Sequence, residues 1–342
     1  MNEKENFLNF YTQKPFDHIP SEGVGEVSVY PVNGFEERPP HDQGGIDWFG
    51  CTWVYMEDSA SAAPDCRAPR VLDDICDWEE VVKFPDLDAW DWDRAVEQDH
   101  INEIDRENNA VNQVVLIGPW ERLHVLMGFE DALCAMVEEP EAVGAFMDRM
   151  ADYKIELIGK LKKYYNPDVI MFHDDWGTQK APFFAPDVWR ELVKPAMKRI
   201  VDYTHEQGII FELHSCGKYD EIIPEIADMG VDTLQCMDIN DLPAAIEKTD
   251  GKMSFCASVH GQDFVTLDDA GKLDPDYVRE TVRNEFDYLC STGYYMPFLF
   301  PPATWYDKIV YEEFERARDK YAGTYAAKMA GKAEPAVEAI VG

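Results

Sequence analysis

From about residue 113 onward, short apolar runs alternate with longer stretches whose hydrophobic residues recur at helical spacing. The apolar runs predict strands over 114–117, 169–172, 209–211, 231–236, 255–257 and 294–299. Between them the pattern predicts helices over 129–136, 140–165, 186–206, 218–229, 241–248, 275–290 and 306–329. Pro140 suits a helix first turn, where its missing N–H costs nothing. The 186–206 stretch carries Trp189, Leu192, Val193, Met197, Ile200 and Val201 on one face, and Gly208 ends it. Strands alternating with helices predict a parallel sheet with helical crossovers. With two strands from the N-terminal third, these six would close an α/β (β/α)8 TIM barrel. No Gly-x-Gly-x-x-Gly follows any strand, so an open dinucleotide-binding sheet has less support.

The first 110 residues differ in texture, being rich in Pro, Asp and aromatics. Hydrophobic residues alternate within Asp47-Trp48-Phe49-Gly50-Cys51-Thr52-Trp53-Val54-Tyr55, which predicts a β-hairpin. The division expected is an N-terminal hairpin and loop extension over 1–110 packed on the barrel mouth, the main barrel over 111–330, and a tail over 331–342. No internal repeat or Gly/Ser linker precedes the Ala-rich tail.

Charge narrows the partners. Lys and Arg number 31 against 67 Asp and Glu, a formal charge of −36. Such a surface repels phosphate backbones and anionic lipid heads, so neither nucleic acid nor membrane is an expected partner. No basic-then-apolar leader and no membrane-length apolar run occurs, which gives a cytoplasmic expectation. The 8 cysteines are dispersed, unlike the framework of a small secreted domain, and reduced thiols are expected.

In a barrel of this kind the chemistry sits at the C-terminal ends of the strands. That rule selects Trp120, His173, Asp174, Asp175, His214, Cys216, Cys236, Asp238, His260 and the 294–300 segment. His214-Ser215-Cys216-Gly217 ends a predicted strand, and residues two apart project to the same side. An imidazole and a thiolate placed so can converge on one ion, for which zinc is best suited. The alternative is a buried thiol beside a hydrogen-bonded imidazole. His173-Asp174-Asp175 puts three ionisable groups at another strand end, where desolvation favours a site or a capping network over plain packing.

These segments together resemble a known family. His173-Asp174-Asp175-Trp176-Gly177-Thr178-Gln179, Phe183-Phe184-Ala185-Pro186-Asp187-Val188-Trp189, Lys194-Pro195, His214-Ser215-Cys216-Gly217, Ile222-Ile223-Pro224 and Gly230-Val231-Asp232 are similar to the uroporphyrinogen decarboxylase superfamily. Gly118-Pro119-Trp120-Glu121-Arg122 and Asp47-Trp48-Phe49-Gly50 fit its corrinoid-dependent methyltransferase branch. The resemblance spans most of residues 45–300. It implies a TIM barrel and a zinc held through His214 and Cys216. Many members add a cysteine from the last barrel strand, but residues 293–302 contain none. Cys236 is the substitute expected here, with Glu212, Asp238, Cys256 and His260 as alternatives.

The expected function is zinc-dependent transfer of a methyl group from a small methylated substrate, a methoxylated arene, to the cobalt of a corrinoid carried by a separate protein. The chain has no Asp-x-His-x-x-Gly of its own for the corrinoid. His173, Asp174 and Asp175 are the expected catalytic groups. Trp48, Trp53, Trp120, Trp176, His260 and Tyr294 are expected to line the substrate site, although the N-terminal tryptophans can equally pack the hairpin onto the barrel. Three alternatives stand beside this. In the first, the methyl group passes from methyl-corrinoid to a thiol or tetrahydrofolate. In the second, the chain is a uroporphyrinogen decarboxylase-like enzyme, for which Arg122 is the only obvious carboxylate clamp among the strand-end loops. In the third, the barrel is a non-catalytic corrinoid-protein binding module. A homodimer is left open.

Overall fold

The computed structural model describes residues 1–30, 37–39, 42–57, 61–299 and 301–330. Phe300 and the expected tail over 331–342 lie outside the described residues. Among the described residues there are ten strands: β1 (Glu26–Val29), β2 (Gly45–Ile46), β3 (Thr52–Met56), β4 (Ser61–Pro64), β5 (Ala110–Val115), β6 (Val169–His173), β7 (Ile210–Ser215), β8 (Thr233–Cys236), β9 (Ser254–Ala257) and β10 (Tyr295–Pro297). All six strands expected from the apolar runs occur. Of the two further strands expected from the N-terminal third, β1 is one, whereas β2, β3 and β4 form an antiparallel sheet of their own. That sheet contains the expected hairpin, with Trp53 opposite Pro64 and Met56 opposite Ser61.

The chain folds as two compact units, each assembled from separated segments. One comprises Ser28–Ile104 and Val111–Ile222. In it β5, β6 and β7 lie parallel, with Val114 beside Met171 and Met171 beside Glu212. Parallel strands covered on both faces read as continuous apolar runs, and Val169, Ile170 and Phe172 are fully buried. The helices Pro119–Met127 and Pro140–Tyr164 connect β5 to β6. The helical stretch before β7 contains a π-helical turn, Trp189–Val193, in which the Lys194 N–H reaches the Trp189 carbonyl. Pro195 accounts for it, since it cannot donate to the carbonyl four residues back and its ring crowds that position.

The other unit comprises Met1–Val27, Asp105–Ala110 and Ile223–Gly342. Here β8, β9 and β10 are parallel, with Gln235 beside Cys256 and Cys256 beside Met296. An N-terminal helix, Glu3–Tyr11, is tied to these strands through Gln13, whose Nε2 donates to the Asp232 carbonyl and the Ser254 hydroxyl. The long helices Pro275–Thr292 and Trp305–Tyr321 are joined by Glu313, a buried carboxylate that accepts from Arg279, Arg283 and Arg316. Gly293, at φ 81°, ends the first of them in the left-handed region that favours glycine.

Candidate metal and catalytic centre

The β6–β7 pairing brings His173 level with His214. Contacts between the two segments then continue past the strands. The Asp174 N–H donates to the His214 carbonyl, the Trp176 N–H to the Ser215 hydroxyl and the Gly177 N–H to the Cys216 carbonyl. The close approach depends on two glycines. A Cβ on Gly217 would lie 2.1 Å from the Gly177 carbonyl group, and Gly217 itself has φ +91°. Any side chain at either position would push the two loops apart.

This crossing carries Asp175 to the pair expected from the sequence. Asp175 Oδ1 accepts from the Cys216 N–H at 2.7 Å and lies 3.7 Å from His214 Nε2, which is 3.3 Å from Cys216 Sγ. The ligand atoms of all three half-buried residues lie within 4.8 Å of one another, and no other such group occurs among the described residues. Burial, with the nearby Asp175 charge adding to it, pushes the Cys216 thiol up to about 12. A bound divalent cation would reverse that preference, because a coordinating thiol is deprotonated outright. An imidazole nitrogen, a sulfur and a carboxylate oxygen form a donor set that zinc accepts, with a fourth position left for water or substrate.

Behind this cluster the polar groups are arranged in layers. The His173 ring stacks on His214, with centroids 4.1 Å apart. Burial first, and the adjacent His214 next, hold His173 well below the usual imidazole range, so it is neutral near pH 7. Its buried Nε2 has no hydrogen-bond partner among the described residues. Asp174 is fully buried and accepts from the Trp120 and Glu121 N–H groups and from the Trp176 indole. Desolvation raises it to about 7 against the pull of those three donors. It therefore anchors the end of β6 to the first turn of the helix Pro119–Met127. A Cβ on Gly118 would sit 2.4 Å from the Asp174 side chain, so this anchor requires glycine at 118.

Two residues that the sequence reading left without a role face this cluster. Glu121 accepts from the Gly118 N–H and is held well above the usual carboxyl range by desolvation and by the charges of Asp175 and Asp174. The Arg38 charge acts on both Glu121 and His173, and its buried Nε has no partner among the described residues. Glu121 carried one readable sign, its place at the third position of a helix opened by Gly118-Pro119. Nothing local marked Arg38.

The expected aromatic walls are mostly internal. Trp53 is buried and donates its indole N–H to Asp47, Trp176 is buried and donates to Asp174, and Trp120 packs among His124, Phe129 and Phe184. Trp48 is half-buried against Trp90, with centroids 4.6 Å apart. Packing of the N-terminal tryptophans, the alternative raised from sequence, describes Trp53. Arg122 is also internal, ion-paired with Asp47 at 2.6 Å and with Glu37 at 3.5 Å. Glu212 is buried and accepts from Asn112, outside the three-residue group. In the other unit, Cys236 and Cys256 are buried at the ends of β8 and β9, and Tyr294 is buried beside β10. There the Asp238 N–H donates to Ser258, and His260 pairs with Glu285 at 2.6 Å, a bond that raises the imidazole.

Residues 63–284 match the family model described as Uroporphyrinogen decarboxylase (URO-D). No curated protein matches the chain significantly. Among solved structures, a methyltransferase from Methanosarcina mazei is similar over 94% of this chain and 99% of its own, with 14% identity and a TM-score of 0.66. At that identity the likeness establishes the fold, and with the family match it places the chain in the α/β TIM-barrel class, with an N-terminal β-hairpin sheet. Xylanase B from Clostridium stercorarium F9 is a fainter likeness, 12% identical over 63% of this chain and 74% of its own, with a TM-score of 0.35. Old Yellow Enzyme from Pichia sp. AKU4542 is 10% identical over 67% and 66%, with a TM-score of 0.37. Neither of these two bears on function.

Proposed function

Since the chain belongs to the uroporphyrinogen decarboxylase (URO-D) family, we propose that it is a methyltransferase of that family, zinc-dependent, moving the methyl group of a methoxylated arene to the corrinoid of a separate protein. The observation that carries this reading is the convergence of Asp175, His214 and Cys216 within 4.8 Å. The fold shared with the Methanosarcina methyltransferase agrees with it. A decarboxylase acting on a polycarboxylate substrate would need free cationic clamps, whereas Arg122 is internal and paired with Asp47 and Glu37.

His214, Cys216 and Asp175 are the proposed ligands, with Cys236 as the remaining candidate from sequence. Zinc held there would supply Lewis acidity at the ether oxygen, whose developing charge is the main obstacle to breaking an aryl methyl ether. The residues around it have separable tasks. Asp174, fully engaged by three donors, positions the loop that carries Asp175. His173 is kept neutral by burial and stacks against His214, fixing the plane of that ring. Desolvation and the charges of Asp175 and Asp174 favour the protonated form of Glu121, and it is the group we assign to protonate the leaving oxygen. Of the aromatics, Trp120 and Trp176 act by holding this layer rigid.

The test is methyl transfer from methoxybenzenes to reduced cobalamin, followed as appearance of methylcobalamin. Wild-type protein is expected to produce it, and Cys216→Ser to lose the activity while keeping a cooperative unfolding transition. Transfer in the opposite sense only, from methylcobalamin to a thiol, would replace the arene reading. Full activity in Cys216→Ser would exclude the zinc reading.

A further inference from the structure

We propose that a cavity between the N-terminal hairpin and the helices Pro119–Met127 and Phe129–Glu138 is a binding site for a small neutral phenol. The cavity has a volume of about 420 Å³, at the small end of the range for ligand pockets, which suits a single ring with short substituents. All of its lining residues belong to the unit of Ser28–Ile104 and Val111–Ile222, and none of Asp175, His214 and Cys216 is among them. Backbone hydrogen bonds fix two of its walls. The Asp65 N–H donates to the Thr52 carbonyl at 2.8 Å, and the Leu72 N–H donates to the Leu126 carbonyl at 3.2 Å, tying the segment after the hairpin to the first helix.

The chemistry of the lining selects the ligand. Pro64, Pro69, Val71, Val125 and Phe129 supply apolar surface. Phe129 keeps 40% of its surface exposed while packing edge-on against Phe183 and His124, so aromatic area remains for an occupant. His124 supplies the polar group. Its ring contacts those of Trp120 and Phe129, with centroids 5.3 and 5.5 Å away. Burial, with the Arg122 charge adding to it, lowers the imidazole to about 4, so it is neutral near pH 7 and has one N–H and one bare nitrogen. The N–H is held by the residue's own backbone, and the ring makes no hydrogen bond to another described residue. The bare nitrogen is therefore an acceptor for a ligand hydroxyl.

Charge decides between a neutral and an anionic occupant. Arg70 pairs with Asp131, and its guanidinium lies against Gly128, where an added Cβ would meet Nε at 3.0 Å. Asp65 accepts from the backbone N–H and the Nε of Arg67. The remaining charged residue of the lining is Glu130, which is exposed. An anion would meet Glu130 with no unpaired cation on the lining to offset it, whereas a neutral hydroxyarene avoids that repulsion. Held beside Gly128, the Arg70 guanidinium also offers a cation to an electron-rich ring, which favours an arene over a saturated alcohol.

The experiment uses the full-length chain with phenol as the probe and Cys66 as the reporter, since this exposed thiol borders the cavity. Alkylation by iodoacetamide is followed by peptide mapping at Cys66 and at Cys76 and Cys134, which are exposed away from the cavity. Phenol should slow alkylation of Cys66 severalfold and leave Cys76 and Cys134 unchanged, with half-protection near or below about 1 mM, as expected of a ligand with so few atoms. Cyclohexanol and benzoate should protect less. His124→Phe keeps the aromatic packing and removes the acceptor, so half-protection should need roughly five- to tenfold more phenol. Ala68→Trp fills the cavity from a half-buried position, and phenol should then no longer change the Cys66 rate while circular dichroism stays native. No step requires metal or turnover, so the outcome is independent of the proposed methyl transfer. An unchanged Cys66 rate with phenol, equal protection in His124→Phe or in folded Ala68→Trp, or stronger protection by benzoate would each overturn the proposal.

Discussion

At Gly217 a single hydrogen in place of a side chain decides whether the site can exist. The residue has φ +91°, and an added Cβ would meet the Gly177 carbonyl group at 2.1 Å. Gly217→Ala should destabilise the fold by roughly 2–3 kcal/mol in urea unfolding, through strain and overpacking together. It should also weaken metal binding, because the loops that bring Asp175 to Cys216 are separated. Unchanged stability would mean that the close approach is dispensable. Glu121 carries a second prediction at this scale. Its folded value is raised above 4.5, so the native state keeps a proton that the unfolded chain has already released above that pH. Stability should therefore fall as pH rises above 4.5, and Glu121→Gln should flatten that slope. If the same proton serves the leaving oxygen, Glu121→Gln should also cost about 10²–10⁴-fold in kcat and remove the decline of kcat at high pH. A wild-type pH profile in the variant would assign Glu121 a packing role only.

At the scale of elements, the pair of helices Pro275–Thr292 and Trp305–Tyr321 offers a separate check. Glu313 is lowered to about 2 by hydrogen bonds from Arg283, then Arg316 and Arg279, against the cost of its burial. A depressed carboxyl stabilises the fold above its unfolded value of 4.5 and loses that contribution as pH falls toward 2. Glu313→Gln should cost roughly 2–3 kcal/mol near pH 7 and progressively less in acid, measured as unfolding free energy. A cost that does not depend on pH would contradict the linkage. Element legibility followed hydrophobicity closely where the interior is apolar and failed where it is polar. The run at 114–117 suggested a strand, but β5 begins at Ala110, because Asn112 and Gln113 are buried and bonded to Glu212 and the Val29 carbonyl. The helix Pro119–Met127 was not anticipated, since it is short and opens on a Gly-Pro pair that reads as a turn. The expected helix over 218–229 shrinks to Ile223–Asp228, because Tyr219 is spent bonding back to the Ser215 carbonyl. His214 and Cys216 were legible because their relation is local and has the period of a strand. The position of Asp175 against them follows from the β6–β7 pairing, and the proximity of Glu121 from a helix start some fifty residues upstream of Asp174. Neither relation is written in the spacing of neighbouring residues.

For the whole molecule, 67 acidic against 31 basic side chains leave a charge of −36, and self-repulsion of that size opposes the compact state. Raising NaCl from about 0.05 to about 0.5 M should therefore increase Tm by several degrees, as screening shortens the reach of these charges. A flat response would mean that local ion pairs already compensate. No helix among the described residues is long and apolar enough to cross a membrane. The proposed partner, a separate corrinoid protein, must accommodate the same acidic surface, and its docking should weaken if its own basic residues are removed. The most direct test of the proposed centre is zinc content per chain in protein purified without added metal. Wild type is compared with His214→Ala, Cys216→Ser, Asp175→Asn and Cys236→Ser, each checked for a native circular dichroism spectrum. Near-stoichiometric zinc in wild type and Cys236→Ser, with loss in the other three, is the predicted result. Loss in Cys236→Ser and retention in Asp175→Asn would move the third ligand to Cys236. A folded wild type that binds no zinc, even when zinc is supplied, would contradict the metal centre and the methyl-transfer mechanism that depends on it.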